Sequence, residues 1–293
     1  MFKTVALQQN MRGDVSCVDM VRGGVLLLGG FDGLHIGHRQ LLARAKAYGL
    51  PVGVMTIVGG KEGSLFTLSE RELIFKNAGV DFVFELPFAE IKELSPKQFI
   101  ALLEEQFAPK VIVCGADFRF GAGAKGNAES LKTLSSAEIC VLPLLEVDGR
   151  KVSSSTVKAL LSDGALEQAN GMLGEPFFLL GTVEQGRRIG RTIGFPTANI
   201  AYAKEKFFLP LGVYETKVSV DGVVYKGITN FGAQPTVYGG QVCVETYLDG
   251  FKGDLYGKNL QICFIRKIRD IKKFESLELL KAQLQADLDR IKG

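Results

Sequence analysis

The chain has 293 residues, of which 46% are hydrophobic and 23% are charged, and its formal net charge is +3. This composition is ordinary for a soluble globular protein, and the length favours two domains. A small positive excess suits anionic small-molecule substrates. The sequence lacks the dense basic stripe that is usual in a protein that binds nucleic acid. No apolar run approaches the roughly 20 residues that span a bilayer. We therefore expect neither a nucleic acid nor a membrane as a partner, and no obligate protein partner is inferred.

The cysteines indicate a reducing compartment. All five are widely separated and none forms a C-x-x-C pair, so the sequence predicts neither a disulfide framework nor a zinc site. The first residues also lack the apolar core of a signal peptide. We therefore expect a cytoplasmic protein.

The first predicted element is a strand, corner and helix over residues 25–39, VLLLGGFDGLHIGHR. Val25–Leu28 is wholly apolar, which is typical of a strand buried on both faces. Gly29 and Gly30 end the strand, and apolar residues recur at helical spacing from Leu34 onward. The first amides of a helix have no partners within the helix and carry its positive dipole end. The corner is therefore predicted to bind an anion.

His35 and His38 are the only histidines of the chain, and both lie at this corner. Three residues apart on a helix, they share one face and can donate to the same group, such as a triphosphate. A pair of histidines with ordinary structural hydrogen bonds is an alternative. A metal site comes last, because no further histidine and no nearby cysteine pair supplies the remaining ligands.

Strands and helices alternate after the corner. Strands are predicted at 52–58, 82–86, 111–114 and 139–144, and helices begin at a Ser69–Glu72 capping box and at Ser95-Pro96. This alternation predicts an α/β domain with a parallel sheet and helices on both faces. In such sheets, ligands bind beyond the carboxyl ends of the strands.

Two further segments of this domain carry candidate ligand-binding residues. The loop Gly115–Gly121 holds Asp117, Phe118 and Arg119, although a turn with a solvated Arg119–Asp117 pair would look the same. Farther on, three hydroxyl groups in Ser153–Ser155 open a helix between two lysines, Lys151 and Lys158. Serines at that position either cap the helix or bind phosphate.

The second half of the chain changes to short strands separated by turns. Strands are predicted at 177–183, 212–220, 223–228, 242–247 and 259–268, which indicates a small antiparallel barrel or sandwich. A final helix, about 276–291, places Leu277, Leu280, Leu284, Leu288 and Ile291 on one face as core residues. A linker at Gly174–Pro176 predicts domains at 1–173 and 174–293.

Three features of this second domain suggest phosphate chemistry. The basic loop Gly186–Arg191 can wrap a phosphate with backbone amides, or it is a solvated turn. Thr197 and Asn199 offer hard oxygen ligands of the kind that Mg²⁺ prefers. Glu245 is an acid within an apolar strand. It either faces solvent or acts as a base toward a hydroxyl group.

Ordered motifs in both halves resemble one bacterial family. G-G-F-D-G-L-H-I-G-H, G-A-D-F-R-F-G and V-S-S-S-T-V-K are similar to the nucleotidyltransferase domain of bifunctional riboflavin kinase/FMN adenylyltransferases. G-T-V-E-Q-G-R-R-I-G-R-T-I-G-F-P-T-A-N, with P-T-A-N as its most specific part, resembles the riboflavin kinase signature of the same family. The resemblance implies a Rossmann-like domain that transfers AMP from ATP to FMN, releasing pyrophosphate. It also implies a barrel that phosphorylates riboflavin to FMN with Mg²⁺ and ATP.

The resemblance also implies roles for individual residues. In catalysis, it assigns His35 and His38 to the adenylyl transfer and Glu245 to the deprotonation of the riboflavin hydroxyl. Flavin would contact Asp117, Phe118 and Arg269, and Thr197 and Asn199 would hold Mg-ATP. The remaining ATP or phosphate contacts would come from Gly30, Phe31, Asp32, Gly33, Gly37, Ser154, Ser155, Lys158, Gly186, Gly190 and Pro196.

Several positions depart from the family pattern. Thr56–Gly60 replaces an aromatic-x-Pro-His-Pro stretch, and Lys151 and Lys158 stand where arginine is common. Gln234 also replaces an arginine. A lysine keeps the charge but cannot bind phosphate bidentately. Two alternatives to the bifunctional enzyme follow: a riboflavin kinase with a weak or inactive adenylyltransferase domain, or a non-catalytic regulator that binds flavin and nucleotide.

Overall fold

A computed structural model of the chain describes residues 3–6, 22–59, 63–184, 194–233 and 242–292. The chain forms two compact units, Met1–Thr156 and Val157–Gly293. This division falls before the domain boundary that the Gly174–Pro176 linker predicts.

The first unit is built on a parallel sheet of six strands in the order β1-β4-β3-β2-β5-β6. The strands are β1 Lys3–Ala6, β2 Val25–Leu28, β3 Val52–Val58, β4 Phe82–Pro87, β5 Val111–Gly115 and β6 Glu138–Leu142. All four residues of β2 are buried, as their apolar run predicts, and β2 lies between β3 and β5. The predicted α/β fold with a parallel sheet is confirmed.

Helices connect these strands: α1 Ile36–Lys46, α2 Leu68–Asn77, α3 Phe88–Ile91, α4 Pro96–Phe107 and α5 Ala128–Leu134. Helix α4 begins at the predicted Ser95 cap. Helix α2 does not begin at Ser69. Its capping box is Thr67 with Glu70, in which each side chain accepts a hydrogen bond from the backbone N–H of the other. Phe84, Phe107 and Ile112 belong to the core that these layers enclose.

Some short elements of the first unit are not evident in the sequence. Helix α5 has only seven residues, which is too few to show a helical period, and its start is set by the Asn127 cap. A small hairpin pairs β7, Glu146–Val147, with β8, Arg150–Lys151. Its turn residues Asp148 and Gly149 both have positive φ, as the tight turns of two-residue hairpins require.

The second unit contains a six-stranded antiparallel sheet in the order β10-β13-β12-β11-β14-β9. The strands are β9 Phe178–Thr182, β10 Thr197–Ala201, β11 Gly212–Val220, β12 Val223–Ala233, β13 Val242–Leu248 and β14 Asn259–Arg269. Just past the end of β9, Glu184 N donates to Asn199 O of β10 at 2.8 Å, so the sheet nearly closes on itself. The predicted barrel is confirmed, although β10 was not predicted as a strand.

Alternate side chains of each strand point into the barrel interior. Tyr214, Phe231 and Val244 are fully or almost fully buried. The hydroxyl groups of three buried threonines form a chain of two hydrogen bonds, each 2.9 Å, that runs Thr216, Thr229, Thr246. These interior polar groups therefore have partners, as buried polar groups require.

Helices complete the second unit. Helix α6, Ser154–Ser162, crosses the division between the units, and α7, Leu166–Leu173, follows it. The last helix, α8, is Leu277–Lys292. Its Leu288 and Ile291 pack against Val213 and Ile228, and Leu280 and Leu284 are partly buried there. The prediction that Leu277 is a core residue is wrong: it is 51% exposed, because it precedes the turns that contact the barrel.

Candidate functional sites

The histidine corner leads from β2 into α1. His35 is the N-cap of α1, with an extended backbone, and its Nδ1 accepts a hydrogen bond from the backbone N of His38 at 3.2 Å. Nδ1 of His38 lies 2.9 Å from the carbonyl oxygen of Gly33. The two rings are stacked, with centroids 3.6 Å apart. The two histidines thus share one face, as their spacing predicts.

These contacts determine which nitrogen of each ring carries a proton. A carbonyl oxygen only accepts hydrogen bonds, so Nδ1 of His38 is protonated. Nδ1 of His35 accepts, so the proton of neutral His35 is on Nε2. Both of these contacts use Nδ1, so neither of them involves Nε2 of either ring.

Burial makes both imidazoles hard to protonate. It lowers the pKa of His35 to about 4, against an opposing effect of the Asp117 charge. Burial also holds the pKa of His38 well below its usual range, and the neighbouring His35 lowers it further. Both rings are therefore neutral near pH 7 in the protein alone. A bound anion would favour their protonated forms.

The ring of Phe31 packs against the ring of His38. Phe31 is fully buried, its φ is +38°, and its ring centroid lies 4.3 Å from that of His38. On its other side it contacts Phe75 of α2 edge to face, with centroids 6.3 Å apart. The ring thus connects His38 with α2.

Neighbouring residues of the corner are also attached to the segment before α2. Asp32 Oδ1 accepts a hydrogen bond from Leu65 N at 2.9 Å. A Cβ at Gly33 would lie 2.8 Å from the ring of Phe66, so only glycine fits there. Gly30, by contrast, is exposed, and a Cβ there would meet none of the described atoms within 4 Å. Asp32 and Gly33 therefore shape the corner, whereas Gly30 is exposed.

A cluster of polar and charged side chains, Arg71, Thr56 and Glu85, lies toward the carboxyl ends of β3 and β4. Arg71 is 6% exposed, and its Nη1 donates to Thr56 Oγ1 at 2.8 Å. Thr56 pairs in register with Glu85. Burial lowers the pKa of Arg71, and the charges of Asp32 and Glu85 oppose that shift. The sequence motifs contain no signal for this cluster, because its members belong to three separate elements.

Asp117 forms an ion pair with Lys151, between Lys151 Nζ and Asp117 Oδ2. The charge of Asp117 raises the pKa of His35, and that of Lys151 lowers it. Cys114 at the end of β5 pairs with Leu28 at the end of β2, so the two following loops leave the same edge of the sheet. Asp117 therefore pairs with Lys151, and both side chains remain partly exposed to solvent, at 48% and 42%.

The remaining predicted residues of the first site occupy varied positions. Phe118 is partly buried, and its ring stacks on Phe120 at 5.7 Å. A Cβ at Gly37 would lie 3.3 Å from the His35 ring. Ser153 acts as a cap, since its Oγ accepts from Thr156 N at 3.2 Å. Ser154 and Ser155 are the first residues of α6, in the first unit, and Lys158 on the same helix belongs to the second unit.

In the second unit, the candidate kinase residues lie in one row across three strands. Asn199 of β10 pairs in register with Glu245 of β13, which pairs with Asn230 of β12. Thr197 pairs with Tyr247, two residues further along β13. Directly paired residues point to the same face of a sheet. Thr197, Asn199, Glu245 and Asn230 therefore share the face opposite the barrel interior.

Asn230 is a neighbour of Glu245 that was not among the predicted site residues. It lies in the sequence segment N-F-G-A-Q-P-T, residues 230–236, and no spacing rule connects residue 230 with residue 245. Beside this row, a pocket opens at Thr197, lined by Pro196, Val183, Leu248, Phe251 and Tyr256. Its lining is mixed, because Asp254 and the Thr197 hydroxyl lie among these apolar and aromatic side chains. Gly186 and Gly190, which were predicted to contact ATP, lie outside the described residues.

Arg269 ends β14 and is bound to the last helix. Its Nε and Nη2 lie 2.9 and 2.8 Å from Asp287 Oδ2. Gln283 Nε2 donates to Asp287 Oδ1 at 2.8 Å. The two charged side chains are 13% and 2% exposed. Arg269 pairs in register with Val213, which pairs with Asn230. The Arg269 guanidinium is thus held by a buried ion pair, and Arg269 lies two strands away from Asn230.

Among the described residues, no helix is long and apolar enough to cross a membrane. No group of three or more His, Cys, Asp or Glu side chains in the same part of the chain could hold a metal ion.

Comparisons with known proteins identify a family domain in each half of the chain. The FAD synthetase family model matches residues 18–156, and the riboflavin kinase family model matches residues 173–293. A solved structure described as a macrolide-efflux protein from Streptococcus pneumoniae is 29% identical, with a TM-score of 0.85, and the match covers 98% of this chain and 97% of that chain.

Curated relatives named bifunctional riboflavin kinase/FMN adenylyltransferase also match. Those from Bacillus subtilis (strain 168) and Escherichia coli (strain K12) are each 34% identical over 90% of this chain and 90% of their own. One from Haemophilus influenzae is 31% identical over 97% of this chain and 98% of its own. These matches confirm the resemblance read from the motifs. The chain belongs to the family of bifunctional riboflavin kinase/FMN adenylyltransferases.

Proposed function

We propose that this chain makes FAD from riboflavin in two ATP-dependent steps, with FMN as the intermediate. The first step occurs at the row Asn199–Glu245–Asn230 and the second at the histidine corner. The observation that carries the proposal is that each of the two matched family segments contains its own set of candidate residues.

In the kinase step, Glu245 takes the proton of the terminal ribityl hydroxyl of riboflavin. The oxygen then attacks the γ-phosphorus of ATP, the bond to the β,γ-bridging oxygen breaks, and ADP leaves. The half-buried position of Glu245 on the outer face suits this role, because the carboxylate can reach a substrate there.

The oxygen donors of this face fit a magnesium ion. The Thr197 hydroxyl and the Asn199 amide oxygen lie on the face of Glu245, and Mg²⁺ favours a few protein oxygens together with substrate phosphates. We propose that Thr197 and Asn199 hold Mg-ATP. When bound, the ion supplies positive charge against the triphosphate.

In the adenylyl transfer, a phosphate oxygen of FMN attacks the α-phosphorus of a second ATP, and pyrophosphate leaves. This chemistry needs positioning and charge neutralisation more than a protein nucleophile. Nε2–H of His35 donates to the phosphates, and His38 joins it when the bound anion favours the protonated ring. Ser154, Ser155 and Lys158 complete the proposed phosphate contacts, and Asp117 and Phe118 those of the flavin.

One assay tests the proposal. The protein is incubated with riboflavin, ATP and magnesium, and the flavins are separated by chromatography. FAD supports the bifunctional enzyme. FMN alone would indicate a riboflavin kinase with a silent first domain, and unchanged riboflavin would leave a regulator that binds without turnover.

We further propose a cytoplasmic location. Among the described residues, Cys114, Cys140, Cys243 and Cys263 are thiols outside any disulfide, as is usual in a reducing compartment.

A further inference from the structure

Cys243 lies next to the candidate kinase residues without belonging to any motif. It is on β13, two residues before Glu245, so both side chains point to the outer face. Its thiol donates a hydrogen bond to Asn199 Oδ1, with 3.6 Å between sulfur and oxygen. Asn199 itself pairs in register with Glu245, so the thiol reaches it diagonally across the two strands.

This contact bears on which end of the amide faces the nucleotide. An asparagine side chain presents an acceptor oxygen and a donor NH₂ group, and only the oxygen can bind a cation. A thiol that donates to the oxygen selects one of the two amide orientations. The oxygen has two lone pairs, so one can accept from the thiol while the other contacts magnesium.

We propose that Cys243 is a positioning residue for the riboflavin kinase reaction, which orients the amide of Asn199 toward Mg-ATP. This inference rests on the proposed role of Asn199. Cys243 itself does not contact the reacting atoms. Its loss is expected to weaken the binding of Mg-ATP and to leave the base Glu245 in place.

The test compares Cys243→Val, which fills the same space without a donor, with Cys243→Ser, which keeps a donor. We expect the KM for Mg-ATP in FMN formation to rise about threefold to tenfold in the valine variant, the range expected for one lost hydrogen bond. The serine variant should stay close to the unaltered protein, and kcat should change little in both. Calorimetric titration with ATP and magnesium should show the same order of affinities without turnover.

Two controls separate this effect from general damage. Cys263→Val alters a cysteine on β14 that pairs with Phe178 and should leave the KM unchanged. Conversion of FMN to FAD should be normal in every variant. An active Cys243→Val variant with an unchanged KM for Mg-ATP would overturn this inference but not the proposed function. An equal rise of that KM in the valine and serine variants would do the same. An unaltered protein that forms no FMN would overturn the proposed function and the inference together.

Discussion

The imidazole rings of His35 and His38 lie face to face, with planes inclined by only 13°, yet their Nδ1 atoms have opposite hydrogen-bonding roles. Nδ1 of His35 accepts from the helix, and Nδ1 of His38 donates to the Gly33 carbonyl. Each ring is thereby fixed in one tautomer, and neither of these contacts uses Nε2. The pair is expected to act as a unit in the adenylyl transfer.

The first prediction concerns this pair. His38→Ala should lower FAD formation from FMN by at least about 100-fold, because it removes a group positioned on transition-state charge. FMN formation from riboflavin should be unchanged, since it occurs at the other site. Both rates are measured by chromatography of the flavins. Because the rings act as a unit, the double variant with His35→Ala should be little worse than His38→Ala alone. A normal FAD yield would remove His38 from the mechanism.

The second prediction concerns the pH dependence of stability. The pKa of His35 falls from 6.5 to about 4 on folding, so the unfolded chain binds a proton more readily than the folded one. The free energy of unfolding is therefore highest, as far as His35 is concerned, above pH 6.5, and it falls as the pH drops toward 4, because the unfolded chain then takes up a proton that the folded chain does not. This lowered pKa corresponds to about 3 kcal/mol of unfolding free energy over that interval.

The matched variant is His35→Asn, which keeps an N-cap acceptor but does not titrate. Unfolding of both proteins is followed by calorimetry between pH 4 and pH 7, and the difference between the two profiles isolates His35 from the carboxylates. We expect the first unit of the unaltered protein to lose more stability on acidification than that of the variant. Parallel profiles would contradict the lowered pKa.

The third prediction concerns Glu245. Glu245→Gln retains the size of the side chain but removes the base, and should reduce FMN formation by about 100-fold or more. With FMN supplied, FAD formation should proceed at the normal rate. If both activities disappeared although the variant folds, the two sites would not be independent.

The fourth prediction concerns the buried ion pair of Arg269 with Asp287. Asp287→Ala should destabilise the second unit by about 3–5 kcal/mol, because it leaves a guanidinium uncompensated in a largely buried position. Asp270→Ala provides the comparison, since Asp270 pairs with Lys267 in solvent. Its unfolding transition should match that of the unaltered protein. Denaturant unfolding measures both, and equal transitions would mean that the buried pair contributes nothing net.

Much of the local structure follows from short stretches of sequence. The apolar run Val25–Leu28 forms a buried strand, Ser95-Pro96 begins α4, and the spacing of His35 and His38 places their rings together. Each of these features depends on residues within one turn or one strand, where backbone geometry alone determines the neighbours. The same limit explains the misplaced start of α2, since Thr67 and Ser69 are both plausible caps and only the capping hydrogen bonds distinguish them.

The sequence by itself also determined the family and the two-part chemistry, because the motifs are continuous in the chain. Only the tertiary structure decided the partners of the charged groups. Lys151 meets Asp117 across 34 residues, Arg71 meets Thr56 from another element, and Asn199 faces Glu245 through strand register. Such contacts depend on how strands and helices pair across the sheet, and no periodicity along the chain encodes that pairing.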